Sequence, residues 1–443
     1  MYFDLDIQSG ISQILPNVST KTWGINQPFL GVTLRANKGD SVHVNVTNSL
    51  HKTTTLHWHG VKLPAKADGG PHQPIKPSAK WLSEFDIIQP AASLWYHSHQ
   101  MHETGEQVYK GLAGMFIIDD ENSQSLNLPS EYGVDDFPVI IQDKDFNQDG
   151  SMQYLSSMRD SMMGKKGATI LVNGVINPVL KAKRSLIRLR ILNSSNARIY
   201  QLQFDDNRPF KIIASDGGLL EKPITSKKFT IAPAERVEIV VDVADGSMPI
   251  LKHHANHDSM SGMGGRGMMN EKKEFNIFQI DGSQAALSTA TVVEKLSVHA
   301  TYSREVAVQE RLMTLQMNMG PQLMAAALFG SKDLLTINDK SMDMQRIDEV
   351  VKAGTVEVWT IKNDSMHAHP FHIHNVQFKV ISREGGIKGH ELGYKDVVLV
   401  HPDETVEVIM KFPNFSDANT PYMYHCHILE HEDRGMMGQF VVV

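Results

Sequence analysis

Apolar and polar residues alternate in short runs from one end of the chain to the other. The clearest runs are SVHVNVTN (41–48), FPVIIQD (137–143), LIRLRIL (186–192), RVEIVVDV (236–243), VEVWTIKN (356–363), VEVIMKF (406–412) and GQFVVV (438–443). A period of two puts successive side chains on opposite faces of a strand, and Gly, Pro, Asn and Asp bound the runs as turn residues do. Helical 3.6-residue periods are scarce, which predicts an all-β chain. A weak repeat runs through it. GDSVHVNVTNSL (39–50), KRSLIRLRILNSS (183–195) and AGTVEVWTIKND (353–364) share a turn, an alternating strand and a polar exit containing Asn. GLAGMFIID (111–119) parallels RGMMGQFVV (434–442) in two glycines and a Phe, as closing strands of a sandwich would. Three copies of one sandwich unit fit 443 residues at about 150 per domain. Polar stretches at 120–133 and 281–295 read as linkers, dividing the chain into 1–125, 135–285 and 295–443.

Composition sharpens this picture. Lys plus Arg total 43 against 50 Asp plus Glu, a net charge of −7, which argues against a nucleic-acid partner. No apolar run approaches the ~18 residues of a membrane span. The opening MYFDLDIQSG lacks the basic start and apolar core of a signal peptide. A single cysteine, Cys426, excludes an intramolecular disulfide. Histidine (21) outnumbers proline (19) and methionine (23) outnumbers phenylalanine (17), an excess of side chains that bind transition metals. The stretch HHANHDSMSGMGGRGMMNE (253–271) cannot build a core and is expected as an exposed loop.

The histidines cluster. Four His-x-His pairs occur: His57 and His59 in LHWHG, His97 and His99 in WYHSHQ, His372 and His374 in HPFHIH, and His425 and His427 in HCHILEHEDRGM. On a strand each pair presents two imidazoles to one face, half of a metal site. One such pair is commonly two surface histidines; four pairs holding eight of 21 histidines point to a shared centre. His99 and His369 lie 270 positions apart, so a shared site requires the first and third domains to touch. Cys426 faces away from His425 and His427. A thiolate, two imidazoles and a distant thioether make a blue-copper electron-transfer site, and Cys426, His431 and Met436 with His369 supply that set.

HWHG, HSH, HPFHIH and HCHILEHEDRGM together resemble, in order and spacing, the motifs of the multicopper oxidases, the family of laccases, ascorbate oxidase and copper-efflux oxidases. DGGP (68–71) and HILEHEDRGMM (427–437) are most similar to the periplasmic cuprous oxidase of Gram-negative bacteria. The resemblance covers nearly the whole chain. It implies three cupredoxin-like Greek-key sandwiches, four copper ions, and reduction of O2 to water by four one-electron oxidations. By position it implies His369, Cys426, His431 and Met436 at type 1 copper, and His57 and His372 at type 2. The type 3 pair then takes His59, His97 and His427 on one ion, and His99, His374 and His425 on the other. A copper-free cell-division protein shares this fold, and the full set of ligand positions here is what separates the chain from it. Asp68 and Glu432 fall where the family places acids that relay protons.

The electron donor expected from the resemblance is Cu(I), for copper tolerance. Met319, Met324, Asp364 and Met366 are the candidates to hold it, although Met324 stands where an acid is expected. The family's methionine-rich lid has no counterpart in AAALFGSKDLLTIN (325–338), which contains no Met. That absence favours a second donor class, phenols and aromatic amines oxidised as by a laccase. In the 253–271 loop, His253, His254, His257, Met260, Met263, Met268 and Met269 could collect Cu(I). A non-enzymatic copper-binding protein is a remoter reading, because storage needs no cysteine bridge. The family further implies a periplasmic location, and a monomer is expected.

Overall fold

A computed structural model describes residues 1–254, 274–318 and 334–443. The all-β expectation holds: strands dominate, and among the described residues every helix is seven residues or shorter. Among the described residues three pairs of sheets follow one another, with five and four strands, then seven and five, then five and five. Each pair encloses its own apolar core, the first around Val42, Val44 and Phe116, the second around Leu189 and Ile239, and the third around Trp359 and Phe440.

The repeat is structural. Ser41–Asn48, Leu186–Asn193 and Val356–Asn363 each run parallel to the strand that begins their sandwich and antiparallel to a later one. Each ends on a fully buried asparagine that ties the exit turn. The Asn48 amide donates to Lys52 O and Ile75 O, Asn193 to Arg198 O and Ile231 O, and Asn363 to His367 O and Val400 O. Each side-chain carbonyl accepts the N–H two residues on, at 3.0 Å. The closing strands also match: Gly114 and Gly438 lie under Tyr96 and Tyr424, where an added Cβ would approach the ring to 2.4 Å. Both tyrosines immediately precede a His-x-His pair.

Arg188 and Arg190 alternate with apolar residues in LIRLRIL, and both are buried. Asp136 and Glu238, together with Ser93 of the first sandwich, pair with them, so the outer face of this sheet is an interface. The polar stretches at 120–133 and 281–295 are tied to the rest of the molecule. Leu128 and the adjoining Leu296 enter the second core, and the Asn127 amide donates to Thr289 O. No described helix is long and apolar enough to cross a membrane.

Candidate metal centre

Four strand segments carry the paired histidines to one place. His57–His59 lies antiparallel to Ala92–His97, with His57 opposite His97. In the third sandwich His369–Ile373 pairs with Asp417–Cys426, with His372 opposite His425. All eight paired imidazoles are buried, and they interleave across the boundary of the two sandwiches: His57 stacks on His374 at 3.9 Å and His59 on His372 at 3.8 Å. Nitrogen atoms gather in threes, from His59, His97 and His427, from His99, His374 and His425, and from His57, His59 and His372. His369, Cys426 and His431 form a separate group on the opposite side of the strand carrying Cys426. Met436 is buried in the core cluster that contains Cys426, and its carbonyl accepts the Cys426 N–H.

Hydrogen bonds fix which nitrogen six of the eight rings present. His57 Nδ1 donates to Asp68 O (2.9 Å), His372 Nδ1 to Asp396 O (2.7 Å), His97 Nδ1 to Ser98 O (2.8 Å) and His425 Nδ1 to Cys426 O (3.1 Å). His374 Nδ1 donates to Asp68 Oδ2 (2.8 Å), whereas His59 donates through Nε2 to Asp396 Oδ1 (3.1 Å). A neutral imidazole has one N–H, so the remaining nitrogens of these rings are lone pairs. Two of them, His374 Nε2 and His425 Nε2, face each other at 3.3 Å, and His99 Nε2 is 3.2 Å from the latter. His57 Nε2, His372 Nε2 and both His427 nitrogens are buried without any partner. Converging buried lone pairs repel unless a cation lies between them, so these residues fit metal ions.

Burial holds the imidazoles neutral and ready to donate. Desolvation lowers His59, His97, His99, His372, His374 and His427 well below the usual histidine value, and His425 to about 3. His369 falls similarly and His431 drops to about 3, while burial pushes the Cys426 thiol up. Cys426 Sγ lies 3.3 Å from His369 Nδ1 and 3.6 Å from His431 Nδ1. The outer nitrogens of these two rings are held by Ser365 Oγ (2.8 Å) and by Met162 O (2.9 Å). A trigonal thiolate–imidazole set with its outer nitrogens held is suited to copper.

The two acids flank the eight imidazoles. Asp68 is buried, with Oδ1 3.4 Å from His57 Nδ1 and unbonded. Glu432 approaches His99 Nδ1 at 3.2 Å and His425 Nδ1 at 3.3 Å, and burial raises its carboxyl well above the usual range. Of the donor-site candidates, Met366 is 81 % exposed, and Asp364 pairs with Lys362 at 2.8 Å. Met319 and Met324 lie outside the described residues, as do His257, Met260, Met263, Met268 and Met269. His253 departs from the loop expectation: it ends the strand Ile250–His253, is buried, and accepts the Gln201 N–H.

Sequence reading missed Asp396, Arg236, Ser365 and the Met162 carbonyl. The one available signal was charge inside an apolar setting, as in KDVVLV (395–400) and RVEIVVDV (236–243).

Family models described as multicopper oxidase match residues 6–123 and 307–443. The multicopper oxidase mco of Staphylococcus haemolyticus is 38% identical, covering 99% of this chain and 88% of its own length. The cell division protein FtsP of Escherichia coli is 35% identical, covering 99% and 89%. Among solved structures, a laccase-like multicopper oxidase CueO from Ochrobactrum sp., with oxidase activity towards lignin model compounds and lignosulfonate, superposes with a TM-score of 0.88 at 31% identity, covering 100% and 97%. A metallo-oxidase from Campylobacter jejuni gives 0.86 at 28% identity, covering 100% and 91%. With the matched models on both flanking sandwiches and a metal-ready histidine cluster between them, the chain belongs to the multicopper oxidase family, oxidases that use O2 as acceptor.

Proposed function

We propose a four-copper oxidase. His369, Cys426, His431 and Met436 hold a type 1 ion, His57 and His372 a type 2 ion, and the triads His59–His97–His427 and His99–His374–His425 a type 3 pair. The observation that carries this reading is the convergence of buried, unprotonated nitrogens into separate groups, with Cys426 covalently joined to a member of each triad. When bound, copper supplies one-electron acceptance at the cysteine site and four-electron reduction of O2 to two waters at the histidine site. Cys426 links the two sites through single peptide bonds to His425 and His427, the shortest covalent path the chain offers. Asp68 and Glu432 serve the four protons that the reduction consumes, one from each side of the imidazole cluster.

The donor we propose is Cu(I). Soft side chains stand beside the residues that hold the type 1 imidazoles: Met163 Sδ lies 3.0 Å from His367 Nε2, and Met366 is exposed next to it. Met163 adjoins Met162, which holds His431, and the His367 carbonyl accepts from Ser365 Oγ (3.2 Å), which holds His369. Met319, Met324 and Asp364 complete the proposed set, and the Campylobacter relative is named a metallo-oxidase. Laccase-like oxidation of phenols and aromatic amines is the second reading. It is favoured by the engagement of Asp364 with Lys362 and by the activity named for the Ochrobactrum relative. The same proposal makes the protein an exported, periplasmic monomer acting in copper tolerance, with domains 1–125, 135–285 and 295–443.

Oxygen uptake of the copper-loaded chain, measured with a Cu(I) complex and separately with 2,6-dimethoxyphenol, tests this. Faster uptake with Cu(I), abolished in Cys426→Ser, is expected. Faster uptake with the phenol would install the laccase reading, and no uptake from a blue, loaded protein would overturn both.

A further inference from the structure

The second sandwich supplies none of the clustered imidazoles, yet one of its side chains reaches the residue that holds two of them. Arg236 begins the strand Arg236–Asp242 and is completely buried. All five of its guanidinium N–H donors are used. Nε donates to Ser93 O (3.0 Å); Nη1 donates to Ala234 O (2.9 Å) and Asp396 Oδ1 (2.7 Å); Nη2 donates to Asp216 O (3.0 Å) and Asp396 Oδ2 (2.5 Å). One guanidinium thus joins the first, second and third sandwiches.

Asp396 is where this network meets the metal centre. Its Oδ1 accepts His59 Nε2–H and its backbone carbonyl accepts His372 Nδ1–H. With the N–H of His59 drawn to Nε2, the ring presents Nδ1, 3.4 Å from His97 Nε2. His372 is held the other way round and presents Nε2. Were Asp396 to swing, the His59 proton would be free to move to Nδ1 and close that lone pair.

Three neighbours hem Asp396 in. Lys395 Nζ is taken by Asp216 Oδ2 (2.8 Å) and Glu235 Oε1 (2.7 Å), and Asp216 Oδ1 accepts the Arg236 backbone N–H (2.8 Å). Gly60, directly after His59, has φ +85°, and a Cβ there would lie 2.6 Å from Asp396 Oδ2 and 2.9 Å from Arg236 Nη2. The glycine of HWHG therefore leaves room for this ion pair beside the histidine it follows.

We propose that Arg236 is a positioning residue for the metal centre, acting through Asp396 to set which nitrogen His59 and His372 present to copper. The proposal rests on the assignment of these two histidines as copper ligands. It gives the ligand-free second sandwich a part in ordering the centre, distinct from that of Arg190. Arg190 is also buried, but the acids it pairs with, Asp136 and Glu238, hold no imidazole.

The test uses the full chain loaded with copper and three variants: Arg236→Lys, which keeps charge but loses the planar fork, Asp396→Asn, and the double variant Arg236→Met/Asp396→Asn, which leaves no unpaired buried charge. Arg190→Lys is the structural control, and His59→Ala and His372→Ala test the ligand assignment itself. Copper retained after dialysis, the electron paramagnetic resonance of type 2 copper and the blue type 1 absorbance are read together. The expected result is an intact blue absorbance with an altered type 2 signal and copper affinity at the histidine site lowered roughly 10–100-fold, none of which Arg190→Lys reproduces. An unchanged type 2 signal with full copper in all folded Arg236 and Asp396 variants would overturn the proposal. So would an equal effect from Arg190→Lys. Full copper in His59→Ala and His372→Ala would instead remove the ligand reading beneath it.

Discussion

Acid should weaken the copper-free protein steeply. Nine buried histidines, His59, His97, His99, His369, His372, His374, His425, His427 and His431, have values lowered in the folded chain. In the unfolded chain each titrates near 6.5. Below that value the unfolded state binds protons that the folded state refuses, so stability present above pH 6.5 is lost as pH falls. Between pH 7.5 and 5.5 each histidine contributes a loss of about 1.4 kcal/mol, and nine about 12 kcal/mol. Buried acids oppose this, among them Asp396 and Glu430, both pushed up by burial. Asp433, pushed up to about 8, and Glu432, pushed up by burial, retain protons in the fold that the unfolded chain has released. These acids offset part of the histidine effect, leaving a net loss on the order of the whole stability of a typical domain. Calorimetry of the chelator-treated chain at the two pH values should show the midpoint falling by roughly 5–10 °C at pH 5.5. His427→Gln should recover about 1.4 kcal/mol of that fall. A midpoint equal or higher at pH 5.5 would refute the reasoning.

Two further outcomes follow from particular contacts. Asp68→Asn removes the charge that orders His374 and borders His57; steady-state oxygen uptake should fall 10–100-fold while the blue absorbance is unchanged. Asn363→Ala unties the exit turn bearing Ser365 and leaves the buried Val400 carbonyl short of a donor. It should cost about 1–3 kcal/mol in thermal unfolding and shift the blue absorption, because Ser365 holds His369.

Much of this molecule was legible in its sequence because the signals are local. Alternation in SVHVNVTN became the buried–exposed alternation of Ser41–Asn48, and the His-x-His spacing placed paired rings on one side of a strand. The repeated asparagine exits were visible as letters, and the structure supplies their reason in three equivalent turn-tying amides. What escaped depends on contacts between distant parts of the chain. Arg236 and Asp396 are 160 positions apart, and each alone reads as an ordinary strand-end charge. His431 is held by a backbone carbonyl at Met162, which no side-chain pattern can announce. Arg188 and Arg190 follow the alternation expected of an exposed face, and only the neighbouring sandwich turns that face into an interface.

The central claim, one cysteine site joined to one histidine site, is tested most directly by anaerobic reductive titration of the copper-loaded chain beside Cys426→Ser, with oxygen uptake measured on both. Four electrons per chain and a blue colour that bleaches are expected in the wild type. Three coppers, no blue colour and no oxygen uptake from an external donor are expected in Cys426→Ser. A Cys426→Ser protein that still couples donor oxidation to oxygen uptake would contradict the account, as would a wild type that binds copper but accepts fewer than four electrons.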